Sequence, residues 1–325
     1  MNEELRKKVE ERILNSPHVV ILGAGASRAA CPDGDKNGEI LPLMDDFIEV
    51  LELDNLKELN LDSQYTNFED IYNLLAQNKK CDHIRRDLEK KVYDYFNDLI
   101  IPDKPTIYDS LLLSLEKKDV VATFNWDPLI VHAYFRNRKF ELPNLLFLHG
   151  NVTVGYCEKD NVTGFKNTNC KYCGIILKPT KLLYPIHTKD YDLKGFVTSQ
   201  WKTLQSQINK SFFITIFGYS APESDTRAID LMKYAWGEIE NREMEQFEII
   251  DIKTRENLRK TWSPFIHSHH YEVHNDFFDS WISKHPRRTL DAYYQQYWMA
   301  EFIDNNPIPR NLSFDELWEF YRQIN

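Results

Sequence analysis

Residues 18–27 read HVVILGAGAS and indicate the kind of sheet that this chain builds. The run from His18 to Leu22 is short, apolar and rich in β-branched residues, and it ends at Gly23, which is typical of a buried parallel strand. A Gly-x-Gly turn after such a strand lets the backbone turn tightly and approach a phosphate at the amino end of the next helix, where Ser27 adds a hydroxyl. The alternative is a tight strand-to-helix turn that binds nothing.

This turn differs from two known kinds of phosphate-binding turn, and the differences disfavour two classes of reaction. Arg28 stands where the dehydrogenase fingerprint needs a third glycine, so hydride transfer is disfavoured. The lysine of nucleoside-triphosphate loops is also missing after the glycines, so ATP hydrolysis is disfavoured as well.

Other short apolar runs recur along the chain and alternate with helical patterns. This alternation predicts an α/β fold with a Rossmann-like parallel sheet and helices on both faces. The predicted strands after the first are residues 119–124, 145–148, 212–217 and 247–252, with an edge strand at 271–274. The predicted helices are residues 2–14, 67–77, 83–99, 106–117, 194–210 and 222–239.

Three segments fall outside this alternation. Residues 38–115 are mostly helical in pattern and too long for one crossover, so they predict an inserted helical subdomain. Residues 151–185 are polar and contain cysteines, and they predict a small irregular module. Residues 286–325 are rich in aromatics and predict a C-terminal helical extension to a domain of residues 1–285. These aromatics either pack back on the domain or form an oligomer interface.

Charge and composition argue against several classes of function. A net charge of −10 disfavours direct nucleic-acid binding, which needs clustered Lys and Arg. The charged, helix-patterned N-terminus does not resemble a secretory signal, and no apolar run approaches the roughly 20 residues that cross a bilayer. Five cysteines in 325 residues do not indicate a disulfide scaffold. We therefore expect a cytoplasmic protein with no membrane association.

Polar side chains follow two more of the predicted strands. Asn125 and Asp127 come after the strand at 119–124, and His149 comes after the run LLFL. In an open α/β sheet the ligand crevice lies outside the carboxyl ends of the strands, so these residues are candidates for chemistry. For Asp127 the alternative is an Asx turn that caps a helix beginning at Pro128. A histidine with an ordinary pKa of about 6.5 suits a general base near neutral pH, although a structural histidine is the alternative.

The three motifs GAGAS, TFNWD and LHG, in this order, resemble the sirtuin family. NFEDIYNLL at 67–75 and FGYSAPESD at 217–225 resemble its bacterial sirtuin-like branch, which is associated with NAD⁺ destruction in anti-phage defence. The resemblance covers about residues 15–275 and implies a sirtuin-like fold that binds NAD⁺.

The resemblance also implies roles for individual residues. Contacts to the phosphates and ribose of NAD⁺ are implied for Gly23, Ala24, Gly25 and Ser27. Contacts to the adenosine side are implied for Gly218, Tyr219 and Ser220, with Asp251 near the adenine ribose. The nicotinamide-ribose pocket is implied for Asn125 and Asp127, with His149 as the catalytic base.

The cysteine module lies where many sirtuins carry a four-cysteine zinc ribbon. Cys170-x-x-Cys173 is a good zinc-knuckle half, and Cys157 belongs to the other half. Asp160 stands where the fourth cysteine is expected, so zinc held by three thiolates and Asp160 is one expectation, with His187 as another candidate ligand. The alternative is a module that has lost its metal and keeps buried thiols.

One departure from the family bears on the reaction. Deacylases of the family follow the Gly-rich turn with a loop that reads roughly G-I-P-D-F-R, whereas residues 31–47 here read CPDGDKNGEILPLMDDF. That family loop shields the reactive sugar from water, so its absence makes water the natural acceptor. The expected function is hydrolysis of NAD⁺ to ADP-ribose and nicotinamide, as an NAD-depleting effector of anti-phage defence.

Control of such an effector is expected from a homo-oligomer or from a separate ATPase or sensor protein, because a free NADase is toxic. Two alternatives stay open at this stage. The first is a protein deacylase or ADP-ribosyltransferase, and the second is a catalytically silent structural subunit that binds NAD⁺ or ADP-ribose.

Overall fold

The computed structural model describes residues 3–51, 67–185, 195–222, 225–242, 244–267 and 269–324. The strands are β1 His18–Leu22, β2 Val120–Thr123, β3 Asn144–Phe147, β4 Val154–Cys157, β5 Val162–Phe165, β6 Lys178–Pro179, β7 Phe213–Phe217, β8 Gln246–Ile250 and β9 Tyr271–His274. The first helices are α1 Glu3–Asn15, α2 Ala24–Ala30, α3 Phe47–Val50, α4 Phe68–Gln77, α5 Asp82–Asp98, α6 Ile107–Ser114 and α7 Leu129–Arg136. The later ones are α8 Phe196–Lys210, α9 Thr226–Trp236, α10 Arg255–Trp262, α11 Trp281–Lys284, α12 Thr289–Tyr293 and α13 Phe314–Gln323.

Six strands form one parallel sheet in the order β3-β2-β1-β7-β8-β9. The chain builds outward from β1 in one direction through β2 and β3, and then returns to the other side of β1 with β7, β8 and β9. This is the doubly wound order, in which the direction of strand addition reverses between β1 and its neighbour β7. The predicted fold class is confirmed, including the edge position of the strand at 271–274.

Both faces of the sheet are covered by helices, because the central strands carry apolar side chains in both directions. Every residue of β1, β7 and β8 is buried. Val20 and Leu22 pack on one face with residues of α6, α7 and α11, whereas Val19 and Ile21 pack on the other with α8, α9 and α10. Near-continuous apolar strands of this kind require a layer of helices on each side.

The predicted helical insertion contains α3, α4, α5 and α6, while residues 52–66 of it lie outside the described part of the chain. α4 begins where predicted, since the Asn67 side chain accepts a hydrogen bond from the backbone N–H of Asp70 at 2.9 Å. The predicted cysteine module forms a small antiparallel sheet of its own in the order β5-β4-β6.

The aromatic C-terminal segment packs back on the rest of the chain. Tyr293 and Tyr294 are buried in a cluster with Ile13 of α1 and Trp281 of α11. In α13, the hydroxyl of Tyr321 donates to the backbone oxygen of Ser110 at 3.0 Å, which joins the end of the chain to α6. Within the described ranges, no helix combines the length and the apolar character needed to cross a membrane.

Candidate active site

The residues predicted to form a site follow five neighbouring strands of the parallel sheet. Gly23 follows β1, Asn125 follows β2, His149 follows β3, Gly218 follows β7 and Asp251 follows β8. Because all five strands run in the same direction, these residues lie along one edge of the sheet. The turns after β1 and β7 flank the reversal point, which is where open α/β sheets form their ligand crevice.

The glycine-rich turn is packed directly against the turn that follows β7. The backbone N–H of Gly25 donates to the oxygen of Gly218 at 2.9 Å. A Cβ on Gly23 would lie 2.5 Å from that oxygen, and a Cβ on Gly218, whose φ is +60°, would lie 2.3 Å from the nitrogen of Ala26. The close approach of these two turns therefore requires glycine at both positions. Ala24, between the two glycines, is exposed, and contact of this turn with a phosphate stays a prediction.

Ser27 points into a buried network below the turn. Its hydroxyl donates to Asp127 Oδ2 at 2.6 Å and accepts from Asn125 Nδ2 at 2.9 Å. Because its one proton goes to Asp127, the contact of 2.7 Å to Tyr108 makes the tyrosine hydroxyl the donor. Ser27 thus joins the ends of β1 and β2 to the helical insertion.

Asn125 is held with its amide nitrogen inward. Nδ2 donates to the backbone oxygen of Gly23 at 2.8 Å, and this oxygen can only accept, so the orientation of the amide follows from the network. Oδ1 has no hydrogen-bond partner among the residues that the structure describes, and the residue is 8% exposed. Asn125 therefore offers an acceptor oxygen at the carboxyl edge of the sheet.

Asp127 is engaged through both carboxylate oxygens. Oδ1 accepts from the backbone N–H of Leu129 at 3.0 Å, which forms the predicted Asx turn at the start of α7, and Oδ2 accepts from Ser27. Burial raises the pKa of Asp127, while these two hydrogen bonds oppose the shift. The Asx turn is therefore present, but α7 begins at Leu129 with Pro128 as its N-cap and no side-chain cap, so the predicted capping of a helix that begins at Pro128 is wrong. The contact of Asp127 with the nicotinamide ribose stays a prediction.

Tyr108 is a member of this network that the sequence analysis missed. It lies on α6 and is fully buried, and its hydroxyl contacts both Ser27 and Asn125, the latter at 3.3 Å. Burial raises its pKa well above the ordinary value of 10, so the phenol stays protonated and donates. No motif surrounds it, and Ser27 is 81 residues away in the sequence, so only the packed insertion brings it to the site.

His149 is 5% exposed and lies beside a carboxylate that the sequence analysis also missed. Its Nε2 is 3.8 Å from Oδ1 of Asp225, and its ring packs edge-on against Phe124 with centroids 4.8 Å apart. Tyr219 stacks on Phe124 with ring centroids 4.1 Å apart, and its hydroxyl donates to Oδ2 of Asp225 at 3.0 Å. A sequence motif could have indicated Asp225, since this residue is the last one of FGYSAPESD at 217–225.

The structure distributes the remaining predicted cofactor residues along the same edge. Tyr219 is buried with its ring in the core, whereas Ser220 is exposed. Asp251 is half-buried, and its Oδ1 accepts from the backbone N–H of Lys253 at 2.9 Å. Their contacts with the adenosine side of NAD⁺ stay predictions.

The loop of residues 31–47 is fastened to the body of the protein. Asp35 is buried, and its carboxylate accepts from backbone N–H groups within the loop and from that of Ile100 at 2.8 Å. Arg28 donates to the oxygen of Leu41 and to Asp46. At its start, burial raises the pKa of Cys31 to about 12, with the charge of Asp127 adding to the effect, so Cys31 is a thiol and not a nucleophile.

The cysteine module brings four potential ligands together. The Cys157 and Cys173 sulfurs are 3.6 Å apart, and Oδ2 of Asp160 lies 3.2 Å from the Cys170 sulfur and 3.6 Å from that of Cys157. All four ligand atoms lie within 4.8 Å of one another. Zn–S bonds of about 2.3 Å in a tetrahedron place sulfurs roughly 3.8 Å apart, so this set fits a zinc ion. His187, the other candidate ligand, lies outside the described residues.

Protein purified without chelator is expected to carry about one zinc ion per chain, because three thiolates and a carboxylate complete a closed structural site. Elemental analysis of the wild type beside Cys170→Ser and Asp160→Ala measures this directly, and both variants should lose most of the metal. Cys81→Ser is the matched control, since this cysteine lies outside the module. Less than about a tenth of an equivalent of zinc in the wild type would contradict the assignment.

Comparisons with known proteins give similarity in three dimensions only. No protein-family model matches the chain, and no curated protein matches it. The chain is similar to a solved Sir2 homologue in complex with NAD, with 15% identity, a TM-score of 0.40 and coverage of 90% of this chain and 94% of that one. A structure of Sir2 bound to an acetylated peptide has 14% identity, a TM-score of 0.37 and coverage of 90% and 98%. A Sir2 homologue mutant with ADP-ribose has 15% identity, a TM-score of 0.38 and coverage of 92% and 98%.

Proposed function

We propose that this protein hydrolyses NAD⁺ to ADP-ribose and nicotinamide. The observation that carries the proposal is that His149, beside Asp225, and Asn125, with its acceptor oxygen, follow the neighbouring strands β3 and β2 at the same edge of the sheet. In this proposal His149 is the proton acceptor and Asn125 the hydrogen-bond acceptor, and both lie at the carboxyl edge of a doubly wound sheet, the edge at which such folds bind nucleotides.

The leaving group makes this small set of residues sufficient. Nicotinamide departs as a neutral molecule from a cationic starting point, so no general acid has to protonate it. The two carboxylates of ordinary glycosidases are therefore unnecessary. One base is needed to activate water or a ribose hydroxyl, and His149 supplies it. The Oδ1 atom of Asn125 accepts a hydrogen bond from that water or hydroxyl and orients it.

Water is the acceptor in this proposal. The loop of residues 31–47 lacks the aromatic-Arg pair that the sirtuin resemblance leads one to expect, and Arg28 and Asp35 fasten it to the protein body. Residues 67–75 and 217–225 resemble the anti-phage branch of the sirtuin family. The biological role in this proposal is therefore depletion of NAD⁺ during phage infection. Its control comes from oligomerisation or from a separate ATPase or sensor protein.

The acceptor can be tested with oxygen-isotope-labelled water. We expect free ADP-ribose that carries the label at the anomeric carbon, at the same rate with and without an acetylated peptide. A deacylase would instead need the peptide and would transfer its acyl oxygen to the sugar. Nicotinamide release that depends on the peptide, with an unlabelled anomeric oxygen, would overturn hydrolysis in favour of acyl transfer.

A further inference from the structure

We propose that Asp225 is the positioning residue for His149, and this inference rests on the proposed role of His149 as base. Its carboxylate fixes the orientation and tautomer of the imidazole and stabilises the imidazolium that forms when His149 takes a proton. Asp225 immediately precedes α9, whereas His149 follows β3, so the two residues come from separate parts of the fold.

Asp225 and His149 are both buried, so the carboxylate of Asp225 needs partners that compensate its lost hydration. Asp225 is 3% exposed and His149 is 5% exposed. A buried carboxylate is costly unless charged or hydrogen-bonding partners compensate it. Oδ2 of Asp225 has one such partner in the Tyr219 hydroxyl, and Oδ1 faces Nε2 of His149 at 3.8 Å. This distance is within the range of an ion pair and longer than a hydrogen bond.

The surrounding rings hold both members of the pair in place. The rings of Phe124 and Tyr219 are stacked, with an angle of 8° between their planes. The rings of Phe124 and His149 are nearly perpendicular, with an angle of 83° between their planes. The same tyrosine that stacks on Phe124 also donates to Asp225. Imidazole and carboxylate are therefore both positioned by one buried aromatic pair, Phe124 and Tyr219.

A carboxylate beside one ring nitrogen has a defined effect on the histidine. It favours the tautomer that carries the proton on the nitrogen facing it, so the other nitrogen keeps the lone pair that accepts a proton from the substrate. A negative charge within about 4–6 Å also favours the protonated form of the imidazole, which is the form that His149 takes after it accepts a proton.

Two further charged residues lie on segments next to His149 in the described part of the chain. Asp127, on the segment after β2, is bound to Ser27 and Leu129. Lys181, on the segment that hydrogen-bonds to the backbone of His149 through Leu183, is exposed. Among the residues that the structure describes, the carboxylate of Asp225 is the one within ion-pair distance of the His149 ring.

The test is an NMR titration of histidine side chains in the full chain, with the His149 resonance assigned from its absence in His149→Gln. Asp225→Asn keeps the size of the side chain and removes the charge. We expect the His149 pKa to fall by about one unit or more in this variant. Tyr219→Phe keeps the ring stacking and removes the hydroxyl from Asp225, and we expect a smaller shift.

Kinetics give a second readout. In Asp225→Asn we expect kcat for nicotinamide release to fall roughly 10- to 100-fold, with little change in KM. The acid limb of the pH profile should move to lower pH, which a merely structural change would not produce. An unchanged His149 titration in a folded Asp225→Asn protein would overturn the inference, with or without NAD⁺ hydrolysis. A shifted titration without nicotinamide release in the wild type would support the inference and count against the proposed function alone.

Discussion

His149→Gln is expected to slow nicotinamide release by about 10²- to 10⁴-fold, the loss typical for removal of one positioned general base. Glutamine fills a similar space and retains a polar end, so Phe124 and Asp225 keep a neighbour, and the fold should persist. Release is measured chromatographically near neutral pH with NAD⁺ in excess. His83→Gln is the matched control, because this histidine is exposed on α5 and belongs to none of the site's contacts described above, and the rate of this variant should equal that of the wild type.

Asn125→Ala is the companion variant. Removal of the amide takes away the acceptor oxygen and also the hydrogen bond to the Gly23 oxygen, so a loss of similar size is expected together with a modest loss of stability. Thermal melting of the variant separates the two effects. Turnover close to that of the wild type in both Asn125→Ala and His149→Gln would contradict the assignment of the site.

Gly218→Ala is expected to destabilise the protein by about 3 kcal/mol or more. At φ +60° the new Cβ would lie 2.3 Å from the nitrogen of Ala26 and 2.7 Å from the Cα of Gly25. Both are backbone atoms, so neither can rotate away, and the turns after β1 and β7 must separate. Chemical denaturation measures the free energy of unfolding.

Gly38→Ala serves as the matched control for this variant. Gly38 also has a positive φ, +89°, but a Cβ there meets nothing within 4 Å. Gly38→Ala introduces backbone strain but no steric clash, so it should lower the free energy of unfolding by about 1–3 kcal/mol. Equal destabilisation by the two substitutions would mean that the contact between the two turns contributes nothing beyond backbone strain.

The sheet was predictable because its strands are short, apolar runs that stop at glycine or at polar residues. The run at 18–22 matches β1 residue for residue, and that at 271–274 matches β9. The edge that gathers Ser27, Asn125 and His149 was also predictable, since the carboxyl ends of parallel strands meet on one side of the sheet.

The partners of those residues were not predictable, because they come from tertiary packing. Tyr108 reaches Ser27 from the helical insertion, and its local sequence indicates only a helix. Asp225 reaches His149 from the start of α9. The close contact of Gly23 with the Gly218 turn was not predictable for the same reason, since the sequence pattern predicted only a phosphate-binding turn or a tight strand-to-helix turn.

The most direct test is release of nicotinamide from NAD⁺ by the purified wild-type protein beside His149→Gln, with no acylated peptide present. We expect equal amounts of nicotinamide and free ADP-ribose from the wild type, and a loss of both in the variant. NAD⁺ that binds to the wild-type protein and remains intact, with the same outcome for His149→Gln, would contradict this expectation and indicate a binding subunit.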